Sequence, residues 1–136
     1  GMAIAFYASL RIRVKQEDLV YTEISLDGGK KVKKAVGIES TCFIKKSSID
    51  DPFRECSIFI MFGYGIDDIR GNLQYIKDMT NASKYECPDG NSYVPMSLAI
   101  QHVEKANLEA QLKERTINLW EEIESRFESK RPAKVR

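Results

Sequence analysis

Apolar and polar side chains alternate strictly near the amino terminus. Phe6, Ala8, Leu10, Ile12 and Val14 fall on one side, and Tyr7, Ser9, Arg11, Arg13 and Lys15 on the other. This is the period of a half-buried strand. Gln16, Glu17 and Asp18 form a polar break, after which Val20, Thr22, Ile24 and Leu26 resume the alternation and predict a second strand. Asp27-Gly28-Gly29-Lys30 tolerates positive φ, so the chain reverses there. Residues 36–44 predict a third strand and residues 57–62, S-I-F-I-M-F, a fourth. The fourth is apolar at nearly every position, as in a strand covered on both faces, although the chain offers few helices to supply a second cover.

The period then changes. Asp67 and Asp68 suit the opening of a helix, where carboxylates meet free amides and the positive end of the dipole; capping is favoured over a metal site. Ile69, Leu73 and Ile76 follow at helical spacing. Residues 84–94 predict a small hairpin turning at Pro88-Asp89-Gly90. From Ser97, a candidate cap, to Phe127 the pattern is helical. Asn107 divides a stripe of Leu98, Ile100 and Val103 from one of Leu112, Leu119, Trp120, Ile123 and Phe127, so two helices are predicted, with Trp120 and Phe127 in a core.

Composition narrows the class. With 136 residues, 43% hydrophobic and 30% charged, the chain is long enough to bury a core. No apolar run nears the roughly 18 residues that span a bilayer, and no leader-like segment precedes the first strand. Cys42, Cys56 and Cys87 are odd in number and lack C-x-x-C spacing, so neither a disulfide framework nor a zinc site is expected, and a reduced, cytoplasmic setting is. The net charge of +1 is unevenly spread: residues 9–46 hold nine Lys or Arg against five acids. Lys30, Lys31, Lys33 and Lys34 crowd the first turn. They make either a basic finger touching nucleic acid, with Lys31 and Lys33 as weak contacts, or a solvated tip blunted against edge pairing; the second is favoured.

Candidate chemistry is sparse. The Gly28-Gly29 pair lacks the G-x-x-x-x-G-K-(S/T) spacing of a phosphate loop. His102 has no matching Cys or His cluster and is expected at a surface or boundary. No nucleophile, base and orienting group come together by spacing, so no catalytic or metal-ligating residue is assigned. The residues alone give a soluble α+β domain with a basic front sheet.

Residues 3–11, A-I-A-F-Y-A-S-L-R, resemble the signature of bacterial RecA-type recombinases, with Ile4 in place of the usual Leu and Ala5 in place of Lys or Arg. Lys46 through Pro52-Phe53 is similar to the family's K-x-K-x-x-x-P-F loop, Ser48 standing where the second lysine is expected. Phe62-Gly63-Tyr64-Gly65-Ile66 resembles its (Y/F)-G-x-G-I turn.

The resemblance implies the last strands of a RecA-type core sheet over residues 1–65, then a small carboxyl-terminal domain with a β-hairpin and helices over 66–128, and a basic flexible tail over 129–136. It implies a portion of an ATP-dependent, DNA-strand-exchanging filament of recombination, repair and the SOS response. In the family the phosphate loop and catalytic glutamate lie upstream of the signature. Phe6 and Arg11 would then serve the subunit interface, and Lys46 with Lys45 would reach a neighbour's ATP. ATP and Mg2+ belong to the parent assembly, and none is expected on this chain alone. Partners would be single- and double-stranded DNA and further copies of the chain, with no membrane. A free-standing phage or mobile-element module binding nucleic acid or a recombinase is the alternative.

Overall fold

The computed structural model describes residues 10–47, 54–127 and 134. The chain divides into two compact units, residues 1–71 and 72–136. The first is built on an antiparallel sheet of order β1-β2-β3-β4. Its strands are β1 (Leu10–Ser25), β2 (Lys31–Ser47), β3 (Glu55–Met61) and β4 (Gly65–Ile66). The polar break at residues 16–18 does not separate two strands: β1 runs straight through it, with a register shift between Gln16 and Asp18 that leaves Glu17 without a cross-strand partner. One surplus residue absorbs the lapse in alternation as a bulge. The predicted reversal falls at Gly28 and Gly29, with φ of 91° and 86°, closed by Leu26 N–H donating to the Lys30 carbonyl at 2.7 Å.

Register assigns the faces. Across β1, β2 and β3, Ile12 lies opposite Ile44, Val14 opposite Cys42, Cys42 opposite Cys56, Leu19 opposite Ile38, and Ile38 opposite Ile60, which also meets Ile66 of β4. Opposed residues share a face, so these form one apolar surface. It is thinly covered: Ile12 is 50%, Val14 58% and Ile66 64% exposed. The other face carries Phe59, which is buried, with Gly71 close to its ring. In the apolar run of β3, Phe59 is therefore buried while Ile58, Ile60 and Met61 are half-buried. Gly37 leaves no room for a side chain, since a Cβ there would lie 2.8 Å from the Ile60 carbonyl oxygen.

Helix α1 (Asp68–Thr80) begins at Asp67, whose Oδ1 accepts from the Arg70 N–H at 3.1 Å. This is the capping expected of the acidic pair. Its stripe is as the spacing predicts, with Ile69, Leu73 and Ile76 all buried. In the second unit a hairpin of β5 (Tyr85–Glu86) and β6 (Ser92–Tyr93) turns at residues 88–90. Helices α2 (Met96–Lys105) and α3 (Glu109–Arg126) follow, split at Asn107, whose φ is 54°. Among the described residues of this unit, Leu73, Ile76, Cys87, Ala99, Val103, Leu108 and Leu112 are the buried apolar ones. Sheet, hairpin and helices together make an α+β fold.

Two expectations are corrected. Pro95, not Ser97, stands at the cap of α2, in extended conformation with no side-chain cap bond, because the helix starts two residues earlier than a cap at Ser97 would place it and draws Ser97 into its first turn. Trp120 and Phe127 are not core residues, being 38% and 79% exposed. Only Leu112 of α3 is fully enclosed, so the apolar stripe outlasts the surface that covers it.

Candidate functional site

The sequence points to residues at the end of the β1–β2 ladder remote from its turn. Arg11 is the second described residue of β1 and is exposed. In the ladder it lies opposite Lys46, while a register shift between Arg11 and Ile12 leaves Lys45 without a partner on β1. Two residues singled out by separate motifs are thus brought to one rung, with a third basic residue beside it. Phe6, Ser48, Pro52 and Phe53 lie outside the described residues. Basic residues in direct opposition disfavour each other, and an anion between them reverses that sign. Among the described residues no three His, Cys, Asp or Glu side chains gather as a metal site.

At the turn end the basic residues are partly compensated. Lys31 Nζ lies 3.8 Å from Glu23 Oε1, both well exposed, and Lys33 lies opposite Glu23 in the ladder. An exposed pair of this kind contributes about 0–1 kcal/mol.

Two constellations escaped sequence reasoning. His102, on α2, meets the hairpin turn: its Nε2 is 2.6 Å from Asp89 Oδ2 and 3.3 Å from Asn91 Nδ2, and its ring lies 5.5 Å from that of Tyr93. Asp89 also accepts from the Asn91 backbone N–H at 3.1 Å and from Asn91 Nδ2 at 3.0 Å. The hydrogen bond from His102, with those from Asn91, holds the Asp89 carboxyl below its ordinary range. The lone histidine is thus a boundary residue, as expected, but with a specific partner; a turn acid thirteen positions upstream leaves no periodic signal. The second is Cys42 opposite Cys56, which only the register reveals. Burial and the neighbouring Cys42 sulfur push the Cys56 thiol up.

No family model matches the chain. Over 79 residues, 58% of this chain, it is 35% identical to "Protein RecA" of Ruminococcus albus, of which it covers 18%. The chain is similar to RecA proteins. A second match, to "Protein RecA" of Ureaplasma parvum, is 36% identical over 67 residues, 49% of this chain and 17% of that protein. The chain therefore spans less than a fifth of the length of the curated relatives it matches. This extent is consistent with a portion of a RecA chain, in line with the motifs at residues 3–11 and 62–66. No helix among the described residues is long and apolar enough to cross a membrane.

Proposed function

We propose that this chain is a portion of a RecA-like DNA recombination and repair protein. It contributes subunit-interface and trans nucleotide contacts to an ATP-dependent strand-exchange filament and carries no catalysis of its own. The observation that carries this reading is the 35% identity to Protein RecA over 79 residues. The ladder supports it, because Arg11 and Lys46 share a rung and Lys45 adjoins it, a cationic set that a neighbour's terminal phosphates would satisfy. Phe6 would pack across the same subunit boundary. ATP with its Mg2+ is held by the parent assembly. Single- and double-stranded DNA are reached through the filament, in a cytoplasmic, damage-responsive setting. Lys31 and Lys33 add at most a weak electrostatic contact.

The test is Lys46→Ala in the intact parent protein. The expected result is reduced DNA-dependent ATP turnover and filament assembly with the circular dichroism of this region unchanged, since substitutions at the end of a strand, away from a packed core, contribute little to stability. If Lys45→Ala does the same, both lysines serve the phosphates. Full activity of Lys46→Ala would remove the nucleotide contact. The chain alone should turn over no ATP, and any DNA binding should fall steeply with salt as counterion release requires.

A further inference from the structure

We infer that Cys42 and Cys56 form a modification site, a cross-strand thiol pair that low-molecular-weight disulfides oxidise to an intramolecular disulfide. The two residues are directly opposed in the β2–β3 ladder. The rung type follows from its neighbours. Ile44 N–H donates to the Arg54 carbonyl and Phe62 N–H to the Val36 carbonyl, each at 2.8 Å. Stepping by two from either end makes 42 and 56 a hydrogen-bonded pair, for which Cα atoms stand about 5.5 Å apart. That separation lies inside the Cα range of roughly 4.4–6.8 Å for disulfides. The Cβ atoms of such a rung stand toward the wide end of about 4.5–5.5 Å, beyond the roughly 3.5–4.5 Å of a relaxed bond, so closure draws β2 and β3 together and leaves a strained, readily reduced disulfide. Opposed residues share a face, so the two sulfurs already point the same way.

Access is asymmetric. Cys56 is exposed, Cys42 is half-buried and Cys87 is buried, the last in the other unit. Cys56, as thiolate, attacks one sulfur of the small disulfide, forming a mixed disulfide and releasing one small thiolate that takes up the proton Cys56 lost. Cys42, as thiolate, then attacks the Cys56 sulfur, breaking the mixed bond and releasing the second small thiol with the second proton. Two electrons pass from the cysteine pair to the disulfide, which leaves as two thiols. The raised Cys56 thiol makes the first attack slow, so the pair stays reduced until oxidant is in excess. Closure would tie β2 to β3 on the apolar face, beside Val14 and Ile44.

The folded full chain is incubated with excess oxidised glutathione, quenched with acid and mapped by mass spectrometry without reduction. The expected product is lighter by two hydrogen atoms, contains a peptide linking Cys42 to Cys56, and keeps Cys87 as a thiol. Cys42→Ser should stop at a chain bearing one glutathionyl group on Cys56. A wild-type chain that ends as glutathionyl adducts, as disulfide-linked dimers, or with both thiols intact would overturn the assignment, and none of these outcomes depends on a variant folding.

Discussion

Gly37 shows how little room single positions leave. A methyl group added there would meet the Ile60 carbonyl oxygen at 2.8 Å and the Met61 sulfur at 2.6 Å. The sulfur can swing away, but the carbonyl belongs to the ladder. Gly37→Ala should therefore destabilise the fold by about 1–3 kcal/mol through overpacking, read as a lower urea midpoint at unchanged slope. Asp89 has a different sensitivity. Its carboxyl is held below its ordinary pKa by His102 and Asn91, so the folded state prefers the charged form more than the unfolded chain does. That contribution is complete above the unfolded value of about 3.9 and is lost as pH falls through the lower folded value. Asp89→Asn should flatten the acid limb of a stability–pH curve between those two values; an unchanged limb would mean the contact is too well solvated to matter. Neither effect is visible in the sequence, since one depends on the distance between strands and the other on a helix meeting a turn.

Among the elements, what was legible was local. The Gly28-Gly29 turn, the Asp67 cap, the Ile69-Leu73-Ile76 stripe and the Asn107 break each depend on residues a few positions apart, and each stands where the pattern puts it. Pairing was not legible, because three register shifts along β1 and β2 decide which residues face each other. Hence the Arg11–Lys46 rung and the Cys42–Cys56 pair emerged only in three dimensions. Trp120 and Phe127 illustrate a further limit: a stripe says which side of a helix is apolar, not how deeply that side is buried. The β1–β2 ribbon also has an uneven footing. Only residues 37–43 of β2 pair with β3, so among the described residues the part nearer the turn is two-stranded, an arrangement marginal in water by itself. Amides of Thr22, Ile24 and Lys34 should exchange with solvent well before those of Val103 and Leu112. Equal protection by hydrogen-exchange mass spectrometry would mean that the ribbon tip is covered.

For the whole molecule, the sheet presents Ile12, Val14, Leu19 and Ile66 to solvent on one face, and β1 has one described neighbour. Contiguous apolar surface beside an open edge favours association. The isolated chain should sediment as a dimer or larger species at high concentration, and Val14→Lys should shift it toward monomer. A clean monomer at all concentrations would instead mark a self-contained domain.

The bulge at Glu17 has one more implication, for insertions and deletions. Because side chains in a strand alternate, losing an ordinary residue of β1 such as Val14 would exchange inside for outside along everything beyond it. Glu17 is the exception: Gln16 and Asp18 already pair with the consecutive residues Ser40 and Glu39. Excising Glu17 would close the kink and leave every other rung and face as they were. The strand that sets the sheet's pattern can thus be shortened by one residue at this address without being rewritten.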